Sequence, residues 1–112
     1  MKLVTAVIKP HRLDDVRGAL TRFGVPGMTV SQVLGYGMEM WRDSYVRGTR
    51  HVTDLAPNIR VDILTMDGDA EDLVGVIRRA AHTGASGDGK IWVLPVEQVV
   101  RVRTGERGID AV

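Results

Sequence analysis

With 112 residues, 44% of them hydrophobic and 26% charged, the chain has the size and composition of one globular domain, residues 1–112, built around one core. A formal net charge of +1 gives no footing for non-specific nucleic-acid binding, and the absence of cysteine excludes a disulfide framework and a thiolate metal site. No apolar run approaches the roughly 20 residues that span a bilayer, and the opening stretch lacks a signal-peptide pattern, so a cytoplasmic protein without direct membrane insertion is expected.

Leu3 to Ile8 is a near-continuous apolar run ending just before Pro10, which predicts a buried strand. His11 to Gly24 predicts a helix. Leu13, Val16, Ala19, Leu20 and Phe23 keep helical spacing, Asp14 and Asp15 open it, Arg22 lies in its last turn and Gly24 closes it. Pro26-Gly27 turns the chain, and Met28 to Tyr36 predicts a second strand. Gly37 to Pro57 keeps no clean period and is longer than most connections in compact domains, which marks a functional or disordered loop. Ile59 to Met66 predicts a third strand, with Ile59, Val61 and Ile63 on one face and Leu64 on the other. Asp67-Gly68-Asp69 is expected to cap a helix reaching about His82, with Ala70, Leu73, Val74, Ile77, Ala80 and Ala81 on one face. Ile91 to Val96 predicts a fourth strand. Glu97 to Arg103 suggests a turn and a further extended piece, and no pattern assigns the tail to Val112.

Between the second helix and the fourth strand stands Thr83-Gly84-Ala85-Ser86-Gly87-Asp88-Gly89-Lys90. Closely spaced glycines let backbone N–H groups form an anion-binding concavity, and Lys90 adds a point charge. The stretch reads either as a phosphate cradle or as a glycine-capped connection between helix and strand. The order strand–helix–strand–strand–helix–strand predicts an α+β, ferredoxin-like βαββαβ sandwich with two helices on one sheet face. An apolar second face predicts oligomerisation.

Thr83-Gly84 with Gly87-Asp88-Gly89-Lys90-Ile91, Ile8-Lys9-Pro10, Leu13-Asp14-Asp15-Val16-Arg17, Gly27-Met28-Thr29-Val30, Gly35-Tyr36-Gly37, Arg47-Gly48 and Val100-Arg101-Val102-Arg103-Thr104-Gly105-Glu106 together resemble the PII nitrogen-regulatory signal-transduction family. The resemblance spans essentially the whole chain. It implies a homotrimer with ATP or ADP, with or without Mg2+, in the clefts between subunits. It also implies a long effector loop between strands 2 and 3 that docks on a membrane transporter or metabolic enzyme.

Carried onto this sequence, the resemblance has Gly87, Asp88, Gly89 and Lys90 hold the phosphates. Arg101 and Arg103, alternating along an extended piece, would reach them from a neighbouring subunit. Thr29, Gly35, Gly37, Asp62 and Leu64 would contact adenine and ribose from strand positions. Met38 stands where the family frequently has arginine, which puts one phosphate or ribose contact in doubt.

The effector loop departs further. Glu39 replaces a glutamine that ligates magnesium beside 2-oxoglutarate, and Asn58 replaces a lysine that pairs with that ligand's carboxylate. Both changes are unfavourable to a dianion, so 2-oxoglutarate binding is expected to be weak or absent. His51 replaces the tyrosine that many bacteria nucleotidylylate, and Tyr45 carries no motif that makes it a substitute. Trp41 reads either as a partner hot spot or as a residue packed back on the assembly. Met38, Glu39, Met40, Asp43 and His51 have no recognised metal-ligand spacing, so no resident metal is assigned.

The reading is therefore a non-enzymatic, nitrogen-related sensor acting through the 37–57 loop. The alternatives are a slow nucleotide phosphohydrolase, for which no convincing base is visible, and a regulator of a metal or anion transport system. An RNA-binding role would need aromatic platforms on the central strands, where only Trp92 is found.

Overall fold

The computed structural model describes residues 1–37, 45–46, 49–50 and 55–112. In chain order these form β1 (Lys2–Ile8), α1 (Leu13–Phe23), β2 (Thr29–Gly35), the short β3 (Tyr45–Val46) and β4 (Thr49–Arg50), β5 (Ala56–Thr65), α2 (Ala70–Ala81) and β6 (Gly89–Pro95). Single 3-10 turns occupy Pro10–Arg12, Asp67–Asp69 and Gly108–Ala111. The main sheet runs β2-β5-β1-β6 with every neighbouring pair antiparallel, as a βαββαβ ferredoxin-like sandwich requires.

Register explains the two faces. Val4, Ala6 and Ile8 of β1 pair with Ile63, Val61 and Ile59 of β5, and all six are buried under the helices. Val16 and Leu20 of α1 and Leu73, Ile77 and Ala81 of α2 complete that core. The alternate residues line the opposite face, where Leu64, Trp92 and Leu94 are exposed.

The ends of the helices show why each stops. Gly24 adopts φ +99°, which favours glycine, and its N–H donates to the carbonyls of Leu20 and Thr21 at 3.2 and 3.1 Å. At the other helix, Arg12 donates from Nε and Nη2 to the Ala80 carbonyl at 3.1 and 2.6 Å. A cation thus satisfies a last-turn carbonyl of α2 and ties it to the entry of α1.

Several expectations are corrected. Asp67-Gly68-Asp69 is a 3-10 turn, and Asp69 makes no side-chain cap to α2. β5 begins at Ala56, three residues before the predicted start. Pro57 is tolerated because Ala56–Asn58 pair with β2 alone, beyond the end of β1, so the side lacking a proline N–H needs no partner there. Asn58 consequently belongs to a strand rather than to the loop, and it is buried opposite Val33. The 37–57 segment contains the paired β3 and β4, which its lack of period did not reveal. Tyr45 falls on β3, whereas Met38, Glu39, Trp41, Arg47 and His51 lie outside the described residues.

Candidate functional site

The glycine stretch leaves α2 at His82 and enters β6 at Gly89. Asp88 organises it from within. Its carboxylate accepts the N–H groups of Thr83 and Gly84, each at 2.9 Å, together with the Thr83 hydroxyl. Lys9 Nζ stands 3.4 Å from the same carboxylate, brought there by the end of β1. Burial opposes ionisation of Asp88, but these donors outweigh it and hold the carboxyl well below the usual range.

The first half of the anticipated cradle is therefore filled by the chain's own anion. The Asp88 carboxylate faces back into the loop, which leaves its backbone rather than its side chain to meet a ligand. Beyond it, Gly87 is buried, and among the described residues no hydrogen bond engages the N–H groups of Ser86 and Gly87. Lys90 follows on the open sheet face, opposite Val7. A concavity with open donors and an ammonium beside it is chemically suited to an anion. A groove of about 350 Å³ runs here between β1, β6 and the end of α2, with Arg78, His82 and Lys90 on its walls.

Asp88→Asn removes the charge while keeping the shape. It is expected to destabilise the chain by about 1–3 kcal/mol at neutral pH. Because the folded carboxyl titrates below its unfolded value, the stabilisation is complete above the ordinary carboxylate range and fades as pH falls through it. Urea midpoints of parent and variant should therefore converge on acidification. A gap independent of pH would show that the charge is not what holds the loop.

A second cleft, of about 570 Å³, lies elsewhere on the sheet. Thr29, Asp62, Leu64 and Arg101 line it together with Gly27 and Met28. Asp62 accepts the Thr5 hydroxyl at 2.6 Å and Arg60 Nε at 3.0 Å. Burial again disfavours its charge, yet these two partners prevail and lower its pKa. The cleft combines apolar walls with a few fixed polar groups, the usual character of a small-molecule site.

Arg101 and Arg103 do not alternate along a strand. Residues 102–104 form a turn in which the Gly105 N–H donates to the Arg101 carbonyl at 2.8 Å. Gly105 supplies the positive φ of +74° that this closure needs. Arg101 Nη1 donates to Glu106 Oε1 at 3.2 Å, and Thr104 donates its hydroxyl to the same oxygen at 2.8 Å. Arg101 reaches the second cleft, while Arg103 stays exposed on the turn.

The predicted ligand residues thus divide. Asp88, Gly89 and Lys90 line the groove, with Gly87 beside them, and Thr29, Asp62, Leu64 and Arg101 line the cleft. Gly35 ends β2 and Gly37 lies past its end, neither of them on a wall of these two depressions. Thr29 and Lys90 sit on opposite edge strands, separated across the sheet by three strand spacings, about 14 Å, and offset by two residues in register. Sequence reasoning missed Thr83, Lys9 and Glu106 as positioning residues. The Thr83 and Glu106 contacts are local, at separations of five residues, and were visible in principle. Lys9 meets Asp88 only through the β1–β6 register.

The chain matches the family model described as Nitrogen regulatory protein P-II over residues 1–106. Among similar proteins, the nitrogen regulatory protein P-II of Azospirillum brasilense is 44% identical over 112 residues, covering 100% of both chains. The nitrogen regulatory protein GlnK2 of Haloferax mediterranei is 46% identical over 112 residues, 100% of this chain and 91% of that one. The nitrogen regulatory protein GlnK of Escherichia coli is 40% identical over 106 residues, 95% of each.

Proposed function

This chain belongs to the nitrogen regulatory protein P-II family, and from that premise we propose that it is a homotrimeric, cytoplasmic, non-enzymatic sensor of ATP and ADP. The observation that carries the reading is the division of the ligand residues into two separate depressions on one chain. Each depression is half of a site. The groove offers N–H donors and Lys90 to phosphates, and the cleft offers apolar walls with Thr29 and Asp62 to a nucleoside. A second copy, packed through the open sheet face with its exposed Leu64, Trp92 and Leu94, brings one half against the other and delivers Arg101 to the phosphates.

Nucleotide state is then transmitted to the 37–57 loop through Gly35 and Gly37 at its root, and the loop regulates a transporter or enzyme. Among the described residues no helix is long and apolar enough to cross a membrane, so action on a transporter is by docking. Mg2+ accompanies the nucleotide phosphates rather than occupying a protein cage. Asn58 supports weak or absent 2-oxoglutarate sensing. It is buried and neutral, and its amide donates to the Ala56 carbonyl at 3.3 Å, so it supplies no cation to a carboxylate. His51 in place of a phenolic residue excludes uridylylation or adenylylation at that position.

Calorimetric titration of the chain with ATP, ADP and AMP tests the reading. ATP and ADP are expected to bind, and 2-oxoglutarate is expected to show no micromolar affinity with or without Mg-ATP. A purified trimer indifferent to all three nucleotides would refute the proposal. Tight 2-oxoglutarate binding would refute the role given to Asn58.

A further inference from the structure

A third depression, an open groove of about 450 Å³, runs between the two helices and is lined by Ala19, Arg22 and Phe23 of α1 and Val76, Arg79 and Ala80 of α2. Ala19, Val76 and Ala80 are half-buried along it, and Phe23 is exposed at its side. No carboxylate lines it. Arg12, Arg17, Arg60 and Arg101 each hold a carboxylate at 3.0–3.3 Å. The guanidinium groups of Arg22 and Arg79, by contrast, have no ion pair or hydrogen bond among the described residues.

Each of these two arginines lies back over a glycine one turn nearer the start of its own helix. A Cβ added to Gly18 would stand 3.3 Å from Arg22 Nη1, and one added to Gly75 would stand 3.2 Å from Arg79 Nη1. Helical side chains lean in that direction, and a glycine four residues back leaves them room. The start of α1 meets the end of α2 through the Arg12–Ala80 bonds, so the helices run antiparallel. Arg22 and Arg79 therefore lean towards each other from opposite walls. Two like charges converging over an apolar floor favour an anion that enters between them.

We propose that this groove docks an acidic segment of a partner protein, in which carboxylate side chains flank an apolar one. The carboxylates match the guanidinium forks, and the apolar side chain covers Ala19 and Val76. A flat lipid surface does not follow a concave floor, and a free small anion leaves the apolar part uncovered. The groove lies on the helical layer, opposite the sheet face through which the proposed trimer packs, so it stays accessible there. It uses neither nucleotide half-site and does not depend on the nucleotide reading.

Fluorescence anisotropy of a labelled peptide of alternating glutamate and leucine, titrated with the full chain, tests the proposal. The same peptide with glutamine for glutamate is its comparison. The glutamate peptide should bind, more weakly as salt is raised, and the glutamine peptide should not. Arg22→Ala and Arg79→Ala should each weaken binding about fivefold, and Arg22→Glu combined with Arg79→Glu should abolish it. Arg107→Ala removes an equal charge from an exposed position off the groove and should leave affinity unchanged. Both groove arginines are exposed, and thermal unfolding verifies that the variants fold; the single alanine variants decide the matter if the double reversal does not. A parent chain that ignores the glutamate peptide, or binding that survives loss of either arginine, overturns the proposal. So does preference for phosphatidylglycerol vesicles over the peptide, or self-association that the double reversal dissolves, since a lipid surface or a second copy would then be the occupant.

Discussion

Gly89→Ala is expected to cost the fold more than about 4 kcal/mol, and to leave little native chain at ambient temperature. Gly89 has φ +104°, and a Cβ there would lie 1.8 Å from the Val7 carbonyl oxygen and 2.8 Å from the Val7 carbonyl carbon. Neither atom is a flexible side-chain end. Val7 belongs to β1, which is hydrogen-bonded to β5 on one side and β6 on the other, so its backbone cannot yield without opening a ladder. Left-handed φ adds a local strain that alanine meets and glycine does not. Gly68→Ala is the control: its Cβ would meet nothing within 4 Å, and its stability change should stay within about 0.5 kcal/mol. Thermal and urea unfolding measure both. A Gly89→Ala chain as stable as the parent would show that the strand end does not approach Val7 as described.

The second large effect is a complementation. Lys90→Ala damages the phosphate half-site and Arg101→Ala the other, and each trimer made of one variant alone should bind ATP weakly at all of its sites. Mixed trimers differ, because each contains one interface where an intact groove meets an intact cleft. Unfolding and refolding an equal mixture should therefore restore about a quarter of the wild-type ATP sites, since about three-quarters of random trimers are mixed and each holds one restored site of three. Calorimetric stoichiometry reads the fraction directly. No recovery in verified mixed trimers would place both residues in a site made by one chain.

The fold was largely legible. Helical spacing in 13–23 and 70–81, a β-branched run at 3–8 and the capping glycine at 24 each carry their own local physics, and the structure follows them. Where the reading failed, the cause was non-local. Pro57 and Asn58 look like loop residues until β2 extends past β1 and recruits them. Arg101 and Arg103 look like alternate strand positions until the Arg101–Glu106 closure turns the chain. The residues of the candidate site were named by motif, and their separation into two depressions follows from strand order, which places β2 and β6 on opposite edges. Asp88 shows a further limit. An acidic residue inside a glycine loop reads as a ligand contact, and only its bonds to Thr83 and Gly84 show that it folds the loop.

The Arg12 guanidinium bonded twice to the Ala80 carbonyl has a mechanical consequence. It staples the start of one helix to the end of the other, close to where the chain leaves for the glycine stretch. Helices fastened in this way form a stiff chassis that resists sliding or tilting when a ligand arrives. Under the proposed function, strain from a ligand at the cleft would discharge into the segments that the chassis does not grip, outward along β2 rather than into the helical layer.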